Sequence, residues 1–262
     1  MLRTSVLKLR HTPPMYSDAD AAALYDRLNP WGPSDDFYLS HVLAARSVLD
    51  VGCGTGVLLH RAREAGHAGR LCGVDPDVAA LERARRRADV EWVEATAAEM
   101  AWDREFDLAV MASNVFQVFV TDEDLRASLA ATRAALVDGG RLVFGTRNPR
   151  VRAWEGWNPS NPIDVVDHAG RELRISYQVE SVTDDLVTLT ETTATRAGEP
   201  LRVDRATLRF LDVDGVDGFL DRAGFEVEAR YGDWSRSRFT DTSDNLVVVA
   251  RAASSTGTTG TR

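Results

Sequence analysis

Ser47-Val48-Leu49-Asp50-Val51-Gly52-Cys53-Gly54-Thr55-Gly56 is the stretch on which the reading of this chain turns. An apolar, strand-like run from Ser47 to Val51 enters a glycine-rich turn. Val57, Leu58, Leu59, Ala62 and Ala65 then recur with helical spacing up to Gly66, a C-terminal cap. Glycines at alternate positions let the backbone turn sharply and let a ligand approach closely. The helix that follows presents free backbone N–H groups. Further on, Gly73-Val74-Asp75-Pro76 ends a second strand with an acid, roughly 20 residues beyond the last glycine, where a carboxylate can accept hydrogen bonds from ribose hydroxyls.

Three ligand classes compete for such a loop. A dinucleotide fingerprint, G-x-G-x-x-G, needs its third glycine one place later, where Val57 stands. A P-loop needs Gly-Lys-Ser/Thr, and no lysine is near. A nucleoside-bearing ligand without pyrophosphate remains. Asp50 sharpens the choice, because a carboxylate repels phosphate and tolerates an ammonium or a sulfonium.

Outward from the loop, strand-like and helix-like segments alternate. Leu71–Asp75, Glu91–Val93, Phe106–Met111 and Arg141–Gly145 read as strands. Asp77 caps a helix through Ala80, Leu81 and Ala84, and Thr121 with Asp124 opens another that Asp138-Gly139-Gly140 stops. The pattern predicts a doubly wound, mainly parallel, Rossmann-like sheet of seven strands. After Pro149 the period changes. Leu173, Ile175, Tyr177 and Val179 alternate with polar residues, as do Val187, Leu189 and Glu191 beyond an Asp184-Asp185 turn. The division expected is an N-terminal helical cap (1–45), a core (46–160 and 212–252), an antiparallel β insertion after the fifth strand (161–211) and a disordered tail (253–262).

SVLDVGCGTG followed by GVDPD resembles the first two motifs of the class I S-adenosyl-L-methionine-dependent methyltransferases, and FDLAVMASNVFQVF and LVDGGRLVFGTRNP extend the likeness over about Tyr25 to Pro149. The resemblance implies S-adenosyl-L-methionine as cofactor. Asp50 and the backbone of Gly52, Cys53, Gly54 and Gly56 would hold its methionine portion, Asp75 its ribose, and Pro76 would flank the adenine. Many members carry Gly-Asp after the third strand; Ala95-Thr96 stands here. That leaves Thr96, the backbone near Ala97, or Trp102 for the adenine. In similar enzymes a helix before the core covers the cofactor, which would make Tyr25 a contact.

Methyl transfer is an in-line displacement that positioning can accelerate, with a general base needed only if the acceptor must lose a proton. Ligands bind beyond the carboxyl ends of strands in such sheets. Asn114 and Gln117, after the fourth strand, are therefore candidates to touch acceptor or cofactor, and Phe116 to wall the site, against a role in capping and packing. Arg147 could bind a substrate carboxylate or pair with Glu155. Trp154 and Trp234 could form an apolar pocket, or glue the insertion to the core. His168 is the one histidine to test as a base.

With 262 residues and a net charge of −9, the chain has a core-forming composition and no basic stripe for phosphate backbones, so nucleic acid is not an expected partner. No apolar run reaches the roughly 20 residues that cross a bilayer, no secretory signal is evident, and the two cysteines have no metal-ligand spacing. The expectation is a cytoplasmic enzyme, without metal, that methylates O, N or C of a small molecule such as a natural-product intermediate or a sugar. The insertion would form the acceptor pocket or a homodimer contact. Two other readings compete: a methyltransferase-like protein that steers a cyclisation, and a non-catalytic binding module.

Overall fold

The computed structural model describes residues 16–254; the tail expected from 253 onward lies almost wholly outside them. Two helices, α1 (Asp18–Leu28) and α2 (Pro33–Ala44), precede β1 (Ser47–Val51) and α3 (Val57–Glu64). Then follow β2 (Arg70–Asp75), α4 (Val78–Ala84), β3 (Glu91–Glu94), β4 (Phe106–Met111), α5 (Asp122–Ala135) and β5 (Leu136–Arg147). Four strands, β6 (Ile163–Val166), β7 (Glu172–Thr183), β8 (Leu186–Thr195) and β9 (Pro200–Arg209), separate these from α6 (Val213–Arg222), β10 (Phe225–Tyr231) and β11 (Asn245–Ala252).

Seven strands form one sheet in the order β10-β11-β5-β4-β1-β2-β3, with β11 the antiparallel member. The parallel strands are buried on both faces, which is why Leu108–Met111 reads as an unbroken apolar run and only Asp50 interrupts Val48–Val51. Helices α2 and α3 cover one face through Phe37, Tyr38, Leu58 and Leu59. Helices α5 and α6 cover the other through Leu125, Leu129, Phe219 and Leu220. The order reverses beside β1, which pairs with β2 on one side and β4 on the other. A crevice opens there at the strands' carboxyl ends.

β5 departs from expectation. The helix before it ends at Ala135, and the strand spans Leu136–Arg147 instead of starting at Arg141. Leu136 pairs with Phe106 and Arg141 with Leu108, so residues 137–140 bulge out between them around Gly139, whose φ is +78°. The glycines do make a turn, within the strand.

The second sheet, β6-β7-β8-β9, is an antiparallel meander. Its apolar face, with Leu173, Ile175, Val187, Leu189 and Leu208, packs on Leu24 and Leu28 of α1. Helix α1 is therefore held between the two sheets. Ion pairs pin it there: Arg202 on β9 to Asp18 at 2.8 Å, Arg171 to Asp20 at 2.8 Å, and Arg83 on α4 to Asp26 at 2.9 Å.

Candidate functional site

The loop after β1 is built from β2. Gly52 and Cys53 donate their N–H groups to the Val74 carbonyl at 2.8 and 3.1 Å. Gly54 donates to Asp75 Oδ2 at 2.8 Å, while Asp75 Oδ1 accepts from the Asp77 N–H at 2.8 Å. Asp75 is fully buried and buckles the two loops together. Gly52 has φ +73°, and a Cβ there would stand 2.6 Å from Val115 on the loop after β4, so only hydrogen fits. Gly54 has φ +54° and faces open space. Gly56 meets Trp92 rather than the opening: a Cβ would lie 2.5 Å from the indole.

The opening is a cleft of about 1410 Å³, counting its mouth. Asp50, Gly52, Cys53, Gly54, Thr55 and Asp77 line its core side. Ala22, Tyr25 and Asp26 of α1 and Asn29 just after it close it above, and Leu189, Glu191, Asp204 and Ala206 of β8 and β9 form the wall opposite. Ala112, Ser113 and Val115 complete it after β4. Ser113 and Asn114 both sit in the left-handed region, at φ +60° and +62°. Such strain costs of order 1–3 kcal/mol per residue and collects at functional sites. The Asn114 Oδ1 atom is buried with no hydrogen-bond partner.

Charge follows one sign. Six carboxylates line the cleft (Asp26, Asp35, Asp50, Asp77, Glu191 and Asp204), and no lysine, arginine or histidine is among its described lining residues. Burial, with Asp50 and Asp75 nearby, holds the Cys53 thiol well above its ordinary pKa. That shift disfavours the thiolate, the nucleophilic form. These residues fit S-adenosyl-L-methionine. The bare Gly54 admits a ligand, and the carboxylates favour a molecule bearing an ammonium and a sulfonium.

Not every sequence candidate meets at this cleft. Asp50, Gly52, Cys53, Gly54 and Tyr25 line it. Asp75 lies directly behind the loop, and Pro76 is exposed beside Asp77. Thr96 forms a capping box with Glu99 before Ala97, outside the cleft's lining. Phe116 stacks on Phe144 at 4.4 Å in the core and is not among the residues that line the cleft. Gln117 is fully buried, donating to the Arg209 carbonyl at 3.1 Å and accepting from Arg147 at 2.6 Å. Burial pushes the Arg147 pKa down to about 10. Its guanidinium lies 5.3 Å from the Trp157 ring, and the Glu155 pairing falls to Arg152 instead. Trp154 packs on Phe210 at 4.6 Å, so this group joins the insertion to the core. Trp234 sits against Phe37 and Tyr38 under α2. His168 is half exposed in the β6–β7 turn, 4.0 Å from Asp20 and outside the cleft's lining.

Sequence reasoning missed Asp26, Glu191 and Asp204. Asp26 accepts from the Thr55 hydroxyl at 2.5 Å and from Arg83, clamping α1 onto the glycine loop. Helical spacing of Ala22, Asp26 and Asn29 could have indicated it.

Known proteins resemble the chain in the same terms. A methyltransferase-domain family pattern matches residues 48–140. The cypemycin N-terminal methyltransferase of Streptomyces sp. is 29% identical over 234 residues, 86% of this chain and 84% of that protein. The 2-phytyl-1,4-naphtoquinone methyltransferase of Trichormus variabilis is 30% identical over 178 residues, 60% of this chain and 76% of that one. Among solved structures, an amino pentose methyltransferase of calicheamicin biosynthesis from Micromonospora echinaspora, with S-adenosylmethionine bound, superposes with a TM-score of 0.67. It is 21% identical, and the match covers 93% of this chain and all of that one.

Proposed function

This chain belongs to the class I S-adenosyl-L-methionine-dependent methyltransferases, and from that premise we propose that it methylates the nitrogen of an amine borne by a small molecule. The observation that carries the reading is the far wall of the cleft. Asp50 on the core side would answer the positive charge of the cofactor's methionine portion. Glu191 and Asp204 stand on the insertion, across the cleft from the cofactor loop. A wall whose cleft-lining ionisable side chains are carboxylates, with Asp204 ion-paired to Arg202 behind it, suits a nitrogen that gains positive charge and disfavours an acceptor that must become an anion. The name of the cypemycin N-terminal methyltransferase is compatible with a nitrogen acceptor.

The bound cofactor supplies an electrophilic methyl group on a sulfonium. The chain's own residues do the rest. The backbone of Gly52–Gly54, set by Asp75 behind it, and the Asp50 carboxylate would receive the methionine end, and Asp77 would face the ribose. Helix α1, clamped by Asp26, excludes water. Amine and methyl are held in line by α1 and the wall of β8 and β9, where alignment supplies most of the acceleration.

The test is release of S-adenosylhomocysteine by the wild type with matched pairs of small primary amines and alcohols. Turnover confined to the amines is the expected outcome. Turnover with alcohols alone, or with neither, would overturn the reading.

A further inference from the structure

We propose that the acceptor extends beyond the cleft into the seam between α1 and the inserted sheet, where Thr193 receives its far end; the proposal deepens the amine reading above and rests on it for the kind of molecule concerned. A second cavity, of about 410 Å³ counting its mouth, opens in that seam. Tyr25, Glu191 and Asp204 line both this cavity and the main cleft, so they stand where one space passes into the other. The pleat of β8 gives the direction of the passage. Leu189 lines the cleft, Glu191 both spaces, and Thr193 the seam. Alternate residues of a strand share a face, and at about 3.3 Å of rise per residue Leu189 and Thr193 mark the ends of a path about 13 Å long.

Leu24 and Leu28 of α1 and the Tyr177 ring of β7 bring apolar surface to the seam. Its other polar groups find partners within the chain. Arg202 engages all three of its nitrogens, Nε with Asp204, Nη1 with the Tyr16 carbonyl at 3.3 Å and Nη2 with Asp18 at 2.8 Å. The Tyr177 hydroxyl and Glu191 are hydrogen-bonded to each other. The Asn29 side-chain nitrogen donates to the Tyr25 carbonyl at 2.9 Å. Thr193 differs from these. It is only 4% exposed, and its hydroxyl makes no hydrogen bond among the described residues. A buried hydroxyl without a partner is costly, and an occupant that supplies one recovers that cost.

These walls suit an amine whose nitrogen meets the methyl group in the cleft and whose apolar chain or ring runs past Tyr25, between Leu24, Leu28 and Tyr177. Its far end carries a hydroxyl or a similar group that exchanges a hydrogen bond with Thr193. The apolar stretch supplies affinity through burial. The hydrogen bond supplies choice, because a site built to bond a hydroxyl discriminates against the analogue that lacks it. Thr193 lies beyond Glu191 from the cofactor loop, so it selects the acceptor and takes no part in bond making.

The experiment titrates n-alkylamines of two to eight carbons, and the ω-amino alcohols of equal length, into wild type and Thr193→Val saturated with S-adenosylhomocysteine, and assays the same amines for turnover. In the wild type, affinity is expected to rise about fourfold for each methylene that enters the seam. At the length that reaches Thr193, the amino alcohol is expected to bind about fivefold tighter than the alkylamine. Thr193→Val is expected to erase that preference, to keep the rise with length, and to bind S-adenosylhomocysteine within threefold of wild type. Affinity independent of length, no amino-alcohol preference at any length, or a preference that survives in Thr193→Val overturns the proposal. Should Thr193→Val fail to fold, the wild-type series decides by the first two of these outcomes. Amines that bind in the expected pattern and are not methylated sink the amine reading and leave the seam as a subsite. Amines methylated without regard to length or hydroxyl sink the seam alone.

Discussion

At Gly54 the backbone holds φ +54° with nothing within 4 Å of where a Cβ would be, whereas Gly52, two residues earlier, would drive a Cβ into Val115. The two glycines therefore predict different failures. Gly54→Ala pays about 1–2 kcal/mol for a left-handed alanine and places a methyl where the cofactor enters. It should keep its fold and lose S-adenosylmethionine affinity at least tenfold in a calorimetric titration. Gly52→Ala adds the clash to the same strain, so its melting temperature should fall further than that of Gly54→Ala. Asp75→Ala removes a charged acceptor from two backbone N–H groups at once, each worth about 1.5–3 kcal/mol. Both thermal stability and cofactor affinity should drop. Lost affinity without lost stability would mean that Asp75 serves the ligand and not the loop.

Helix α1 is an element held by charge as much as by apolar packing. Asp26 faces Thr55 and Arg83 on the core, while Asp18 and Asp20 face Arg202 and Arg171 on the insertion. Arg202→Met strands the Asp204 carboxylate beside Glu191. Breaking such a buried pair costs about 3 kcal/mol or more, which denaturant unfolding would measure. Asp26→Ala loosens only the core side. It should leave the fold in place, speed amide exchange in α1 and raise the cofactor's dissociation rate. Unchanged exchange would show that Leu24 and Leu28 alone keep the helix seated. The limits of Phe106–Met111 were readable from the sequence to the residue, because apolar continuity is a local signal. The bulge around Gly139 was not, since it depends on which residue of β4 pairs with Leu136. Glu191 was legible as a strand position and illegible as a site residue. Only the cross-strand register sets it beside Tyr177 and Asp204. Phe116 and Trp234 illustrate the converse: aromatic residues near the rim in sequence, they turn into the two cores.

Across the whole molecule, two sheets share one helix and enclose one acidic cleft, and the seam between them carries buried phenols. Burial pushes Tyr16 up to about 12 and Tyr177 higher still. An unfolded tyrosine ionises near pH 10, so this stabilisation is complete below pH 10 and is lost as pH climbs from there through the folded values. Thermal stability should therefore fall steeply above pH 10, and less steeply in Tyr177→Phe. Equal slopes in the two proteins would mean that Tyr177 does not titrate differently on folding. No described helix is long and apolar enough to cross a membrane. The acidic cleft gives the account its central claim, that the methyl group ends on nitrogen. The measurement that tests it most directly is carbon NMR of the product formed from methyl-13C S-adenosylmethionine and each turned-over acceptor. An N-methyl resonance in every productive case is the predicted result. An O-methyl or C-methyl resonance from the preferred acceptor would contradict it.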